Sequence, residues 1–456
     1  MVQYARYDID LEGLVTNEML AFWNWFLSRF RPHLSTSRQK MWTFMVYMGG
    51  DNGTVLSSLE GAGEADLAEM KQVGSNDRLN VVVQYDRMSD HRSRRYHITR
   101  GNPLAKDVVA DLGETNTGDP QVLRSFIAWA VTTYPAEHYA LVLWNHGSGW
   151  KEDNIYQLGK ALRLPPETVN AREARRFAQR RASRAFFSST MRQLLERASP
   201  ARAVLFDDSS RDFLDNAELA NVLAFTAGVT GGKLDLLGMD ACLMSMVEVA
   251  YQCRRSVNVL VGSEETEPAA GWPYQRVLGQ LTAHPEATPQ AFASSIVSDY
   301  VASYDAGAAS EVVTQSALDL ARVEDVAAAL DALSAALMAA MADPRVYAGV
   351  RRARKDAQSF NDRDYLDLLS LCTLFQKYCP SQPVYDAAQR LIALVSPGVE
   401  GSMVLSAGSL GREIQDSHGL SIYFPPEGRV SPFYETLEMS KTTRWHDFLE
   451  GFRNKA

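Results

Sequence analysis

An α/β fold with a largely parallel sheet covered on both faces is the architecture this sequence predicts, and three observations carry it. Short runs of apolar and β-branched residues end in clusters of Gly, Asp and Asn, as buried strands and their C-terminal loops do. Longer stretches of helical spacing separate those runs, so strand and helix alternate, the pattern of a parallel sheet. The chain has 456 residues and 46% hydrophobic content, enough for one large α/β unit with an appended region, or for two domains.

The elements follow in order. Residues 1–40 read as an extension ending in the polar stretch Ser35 to Lys40. Within it Met19 to Phe30 is aromatic-rich, broken by Asn24, Ser28 and Arg29, and too short and polar to span a bilayer; we read it as an amphipathic helix that docks on the core. Trp42 to Met48 is the first buried strand, stopped by Gly49-Gly50-Asp51-Asn52-Gly53. Val55 to Val73 is helical, with Glu60, Glu64, Asp66 and Glu69 on its polar side, and Leu79 to Tyr85 is a second strand. Tyr96 to Thr99 reads as a short edge strand. Asp119 and Pro120 have the chemistry of an N-cap and a first helical residue for a helix to Tyr134. Tyr139 to Trp144 is a third apolar strand, residues 216–227 a helix, and Leu234 to Met239 a fourth strand, followed at Leu243 to Cys253 by another helix and at Val257 to Val261 by a fifth strand. Beyond residue 320 the chain turns Ala- and Leu-rich and helical, over 323–341, 346–358, 365–378 and 384–395, with strands near Met403 and at Leu420 to Phe424 returning to the core before a last helical piece. The expected domains are therefore 1–40, 41–320 and 321–456, with a basic insertion at 151–205.

The formal net charge of −9 gives no reason to expect nucleic acid or an anionic membrane as a partner. Cys242, Cys253, Cys372 and Cys379 form no CxxC pair and no Cys/His cluster of zinc spacing. So few cysteines in so long a chain suit a reduced compartment, and no basic-then-apolar leader precedes Asp8, Asp10 and Glu12, so the expected location is cytoplasmic.

Reactive groups of open α/β sheets gather at the carboxyl ends of the strands. His146 lies just past the third strand and Cys242 just past the fourth. If those strands are neighbours, a thiol and an imidazole meet at one sheet edge, the arrangement nucleophilic catalysis needs. Gly147, Ser148 and Gly149 leave room for a substrate backbone, and the N–H groups of Gly147 and Cys242 are candidates for an oxyanion hole. With a helix expected to start at Leu243, its N-terminal N–H groups and dipole would favour a thiolate at Cys242. The plain alternative stands beside this: a cysteine at a strand–helix junction is often only a small buried residue.

Six blocks bring a family into view. They are Tyr47-Met48-Gly49-Gly50-Asp51-Asn52; Trp144 to Trp150; Asp207-Asp208-Ser209 with Phe213-Leu214 and Glu218-Leu219; Asp235 to Met244; Glu264 to Pro268 with Gly271-Trp272-Pro273-Tyr274; and Gly419 to Pro425. In these, the chain resembles the clostripain-like cysteine peptidases, relatives of caspases, gingipains and legumain, over roughly residues 41–450. The resemblance implies a caspase-like three-layer α-β-α sandwich, His146 as catalytic base, Cys242 as nucleophile, and hydrolysis through an acyl-enzyme. It also implies cleavage after Arg or Lys, with Asp240 in the S1 pocket; that same Asp is equally able to cap the expected helix. One departure is visible. Members selective for basic P1 residues often carry a second acid just before Gly-Trp, where this chain has Ala270. Either Glu264, Glu265 or Glu267 compensates or the pocket is less strict, with Trp272 a further S1 residue.

The insertion 151–205 is arginine-rich. It reads as a solvated charged helix, as a surface for nucleic acid or an acidic partner, or, by resemblance, as the linker at which family zymogens are cut. On the last reading Arg163, Arg184, Arg197 and Arg202 are candidate cleavage positions, cut by the enzyme itself or by an upstream protease. The expected partners are protein substrates, and no cofactor is expected. Calcium supports some members, which leaves a calcium requirement open by resemblance, although no EF-hand-like loop appears. The alternatives to a peptidase are a catalytically silent caspase-like scaffold and another thiol enzyme such as an acyltransferase.

Overall fold

Strand β1 (Lys40–Gly49) is apolar on both sides and buried from Trp42 onward, and it runs through the interior of a nine-stranded sheet. This is a computed structural model; it describes residues 39–51, 59–145, 204–207, 212–214, 216–305, 311–426, 430–431 and 434–454. The helix expected over 19–30 and nearly all of the insertion 151–205 lie outside them. One compact unit runs from Lys40 to Ala456.

After α1 (Glu60–Val73), β2 (Leu79–Arg87) pairs parallel with β1, Phe44 opposite Val81. β3 (Arg92–His97) and β4 (Val108–Gly113) continue antiparallel to the sheet edge. The edge strand is thus β4, not the segment 96–99: Val108 to Gly113 alternates half-buried and exposed residues, a pattern too weak to announce a strand. The chain then crosses to the other side of β1. α2 (Pro120–Thr133) begins as expected, Asp119 accepting from the Gln121 N–H at 2.8 Å. β5 (Ala136–Trp144) pairs parallel with β1. Next come β6 (Val204–Asp207), β7 (Asp212–Leu214) and α3 (Asn216–Thr230). β8 (Leu234–Asp240), α4 (Val247–Cys253) and β9 (Val257–Gly262) follow, with β8 parallel to β5 and β9 parallel to β8.

α5 (Tyr274–Ala283) and α6 (Pro289–Asp305) lead to β10 (Val313–Asp319), antiparallel to β9. The C-terminal part comprises α7 (Val323–Ala340), α8 (Pro344–Asp356), β11 (Tyr365–Asp367), α9 (Leu368–Tyr378), α10 (Gln382–Val395), β12 (Val404–Leu410), β13 (Ser421–Tyr423), α11 (Glu438–Thr442) and α12 (Trp445–Arg453). β12 pairs antiparallel with β10, giving the order β12-β10-β9-β8-β5-β1-β2-β3-β4.

The strand period of two sorts side chains into two layers. Phe44, Val46 and Met48 pack with Trp144, Trp272 and residues of α1, α5 and α6. Met45 and Tyr47 pack on the other face with residues of α2, α3, α4 and the C-terminal helices. This is the three-layer α-β-α sandwich with a mostly parallel sheet. Residue 320 marks no break in packing, because one core continues from Leu318 through the last helix to Phe452. The Trp445 indole N–H donates to the Tyr423 carbonyl at 2.9 Å and fixes α12 to β13. Among the described residues no helix is long and apolar enough to cross a membrane.

Candidate active site

β5 and β8 are neighbours in register, with Trp144 opposite Asp240. Past the last pair, the Asn145 N–H still reaches the Asp240 carbonyl at 3.3 Å, and the Asn145 amide donates to the Gly49 carbonyl at 3.2 Å. Three strand tips are thus tied together where the order reverses about β1, the crevice in which such sheets hold ligands. His146 and Gly147 follow Asn145 directly but lie outside the described residues, as do Arg163, Arg184, Arg197 and Arg202.

Cys242 stands past the other tip, 9% exposed. It does not open a helix. α4 starts only at Val247, capped by Met246, so the expected effect of helix N–H groups and dipole on the thiol does not apply, and Asp240 is not a helix cap. The reason is tertiary. Leu243 takes φ 63°, and its N–H donates to the Glu265 carbonyl at 3.1 Å. Ser245 donates its N–H to the Ser263 carbonyl at 2.9 Å, and its hydroxyl bonds Ser316 and the Gly419 carbonyl, each at 2.7 Å. These partners hold 243–245 in a turn beside the segment after β9, against its local helical pattern. A left-handed leucine of this kind costs on the order of 1–3 kcal/mol and persists only where its surroundings enforce it. The donor at the sulfur comes from across the crevice: the Glu267 N–H points at Cys242 Sγ at 3.3 Å.

Beneath the nucleophile lies a nest of acids. Asp240 Oδ2 accepts from the Tyr274 hydroxyl at 2.8 Å and the Trp272 N–H at 3.3 Å. Burial pushes its carboxyl up to about 6, against the lowering effect of hydrogen bonds from Glu267, Tyr274 and Trp272. Glu267 hydrogen-bonds Asp240 and accepts from the Gln315 amide at 3.1 Å; burial, then the Asp240 charge, raises its carboxyl well above the usual range. Asp66 accepts from the Trp144 indole N–H at 2.7 Å, and burial followed by Asp240's charge lifts it to about 9. No described Arg or Lys pairs with these three carboxyls. The expectation that Asp66 lies on a polar helix face is overturned: it is 3% exposed, on the same face as Gly63, Leu67 and Met70. That spacing was available in the sequence.

The other sequence candidates are placed differently. Glu264 turns away into a second nest, where its Oε2 accepts from the Gly419 N–H at 2.8 Å and it faces Asp367, which holds the His418 ring and caps α9 through the Ser370 N–H. Glu265 Oε1 accepts from the Thr266 and Asn361 N–H groups. Neither meets Asp240; Glu267 does. Trp272 is fully buried and lies on Gly238, where an added Cβ would come within 2.7 Å of the indole, so it is a wall of the subsite's foundation. Among the described residues Asp51, His91 and Glu114 bring ligand atoms within 4.8 Å of one another. Calcium takes about six to eight oxygens, and a set containing an imidazole and only two carboxylates does not fit it.

A sequence model of the clostripain family matches residues 46–162 and 193–452. Clostripain of Hathewaya histolytica is 27% identical over 269 residues, covering 53% of this chain and 42% of that protein's own length, so the chain spans about two fifths of the curated relative it matches. A secreted C11 cysteine protease of Bacteroides thetaiotaomicron, solved with an irreversible peptide inhibitor, is similar at TM-score 0.59 and 19% identity over 90% of this chain and 99% of that one. An inactive zymogen C11 protease of Parabacteroides distasonis is similar at TM-score 0.57 and 18% identity, over 90% and 99%. At these identities the two structures speak for the fold.

Proposed function

The chain belongs to the clostripain family, and from that premise we propose that it is a cysteine endopeptidase in which Cys242 attacks the scissile carbonyl, His146 moves the protons, and Asp240 receives an Arg or Lys side chain at P1. The observation that carries this reading is the parallel pairing of β5 with β8, which sets side by side the strand ends that precede positions 146 and 242. In the reaction Cys242 Sγ forms a bond to the carbonyl carbon, the C–N bond breaks, and His146 protonates the leaving amine; water activated by His146 then hydrolyses the thioester. The Glu267 N–H donates to the attacking sulfur, in place of the helix end expected there. The N–H groups of Gly147 and Cys242 are the proposed oxyanion donors, one such donor contributing roughly 2.7–4 kcal/mol at the transition state.

The P1 preference is supported by a buried carboxylate below the nucleophile in a nest without a described cation. The protein is made as a zymogen and opened after an arginine in the insertion, at Arg163, Arg184, Arg197 or Arg202, by itself or by another protease. Its partners are then protein substrates and that activator, with neither nucleic acid nor membrane required.

The test compares wild type, Cys242→Ala and His146→Ala on fluorogenic peptides with Arg, Lys or Asp at P1, with mass spectrometry of the chain. Cleavage by wild type alone, after Arg and Lys, with a break between 151 and 205, is the expected result. Peptide hydrolysis surviving in Cys242→Ala refutes the nucleophile; equal rates on all three peptides refute the P1 assignment; full activity of an uncut chain refutes the zymogen.

A further inference from the structure

The acids of the nest come from three separate elements and are held by donors too few to neutralise them. Asp66 lies on α1, Asp240 ends β8, and Glu267 belongs to the segment after β9. Of Glu267's two oxygens Oε1 accepts from the Gln315 amide, while Oε2 is buried, with the Trp272 indole N–H the other donor beside the carboxyl. Glu267 faces the Asp240 carboxyl, and a hydrogen bond between two carboxyls exists only while one carries a proton. The groups around this pair come from every neighbouring element: Asp66 and Glu69 from α1, Cys242 after β8, Tyr274 from α5, Tyr300 and Tyr304 from α6, Glu311 before β10 and Gln315 within it. Among these described groups none is a cation. A largely buried cluster of acids without a described counter-charge favours holding protons when empty and has one obvious ligand class, an organic cation.

What lies above is the nucleophile. The main chain of Glu267 bonds Cys242 Sγ while its side chain bonds Asp240, so one residue joins the sulfur to the floor of the subsite. Ala270, the position just before Gly-Trp, is exposed and carries no carboxyl. Gly271 closes the floor at φ 54°, where a Cβ would stand 3.0 Å from both Asp240 oxygens.

We infer that Glu267 is the second carboxyl of the P1 subsite, and that the subsite takes a guanidinium or ammonium in exchange for the proton shared by Glu267 and Asp240. This rests on the P1 assignment proposed above. The exchange balances: one cation enters, one proton leaves to solvent, and the nest keeps its net charge. Glu267 is a specificity-determining residue, and its signature is a KM for P1-Arg peptides that rises as pH falls while kcat does not follow it. One proton displaced per cation gives about a tenfold change in KM per pH unit below the pair's titration.

The experiment measures kcat and KM of the full chain, after whatever processing it undergoes, on P1-Arg and P1-neutral peptides from about pH 5.5 to 8.5. Wild type is compared with Glu267→Gln, which keeps a hydrogen bond to Asp240 but cannot titrate. Expected is a rise of about tenfold or more in KM for P1-Arg at the alkaline end and loss of the KM slope with pH that the shared proton imposes, with KM for P1-neutral peptides far less affected. Independently of any variant, benzamidine binding to wild type is measured by calorimetry in buffers of different ionisation enthalpy. Release of about one proton per benzamidine near pH 6.5 is expected. Wild-type KM and slope in a folded Glu267→Gln, or benzamidine bound with no proton released, overturns the inference alone. A wild type indifferent to P1 charge brings down the P1 assignment and this inference together, and that is read before any variant is made.

Discussion

Replacing Asp240 by Asn separates what its charge does for substrate from what it does to the fold. The change is nearly isosteric. The amide oxygen can keep the Tyr274 hydroxyl and the Trp272 N–H, and the amide nitrogen can keep the Glu267 carboxyl as its acceptor. What is lost is the negative charge. A hydrogen bond to a charged group contributes roughly 1.5–3 kcal/mol, so kcat/KM for P1-Arg peptides should fall roughly 10- to 150-fold. Peptides with an uncharged P1 residue should lose almost nothing. Stability should move the other way. Asp240 is held at about 6 in the fold against 3.8 ordinarily, so its contribution is fully present below the unfolded value and is lost as pH rises through the folded one. Above that point the buried carboxylate destabilises the fold by about 3 kcal/mol at most, a penalty Asn does not incur. Urea unfolding should therefore show the variant more stable than wild type near pH 8, with the gap closing towards about pH 4. An enzyme more stable and less able to use arginine is the expected outcome, the trade common at binding sites. Equal losses on charged and neutral P1 peptides, or lower stability near about pH 8, would refute the reasoning, because Asp240 would then be scaffolding.

Gly271→Ala should strain a left-handed position and press a methyl group onto both Asp240 oxygens; P1-Arg turnover should drop about tenfold or more while iodoacetamide still labels Cys242, and unaltered P1-Arg kinetics would count against a subsite there. Glu248, fully buried with Oε1 accepting from the Tyr423 N–H and the Tyr434 hydroxyl at 3.0 Å each, is raised by burial to about 7 from 4.5. Its stability contribution is thus present below the unfolded value and disappears as pH rises through the folded one; over that window wild type should lose up to about 3 kcal/mol more than Glu248→Gln in urea titrations, and parallel curves would be contrary evidence. Arg254 bonds Glu324 at 2.5 Å, Glu438 at 2.8 Å and the Tyr251 carbonyl at 2.6 Å while lying 3.6 Å over the Tyr251 ring. Its removal to Ala should cost about 1–3 kcal/mol, and Lys should rescue little because it lacks the fork; full rescue by Lys would show that charge alone is at work.

Much of the sheet was legible because its central strands are buried on both faces. β1, β2, β5, β8 and β9 read as continuous apolar runs, and no competing helical period disturbs them. The outer strands were not. β4 alternates weakly, and β10, with Thr314, Gln315 and Ser316 all buried, looks polar because its hydroxyls and amide serve the crevice. Tyr365 to Asp367 has the local pattern of a helix start; it pairs with β13, and Asp367 caps α9 instead. The same conflict between local pattern and tertiary partners displaced the helix expected at Leu243, and with it the account of how the thiol is held.

The site shows where such a pattern stops being informative. Position in sequence singled out Cys242 because strand ends are where an α/β sheet keeps its chemistry, and the family resemblance singled out Asp240. Which of Glu264, Glu265 and Glu267 joins Asp240 depends on how the segment after β9 turns. The Glu264 and Glu265 N–H groups share the Thr314 hydroxyl, which fixes that stretch along β10. The Glu264 side chain is thereby sent to the Gly419 loop and that of Glu265 to Asn361, and the next acid, Glu267, is left over the crevice. Removing that anchor with Thr314→Val should therefore loosen Glu267 as well as Glu264. P1-Arg KM should rise together with faster amide exchange at residues 264–267, whereas a KM that rises with exchange unchanged would mean Thr314 acts on the subsite by some route other than this turn.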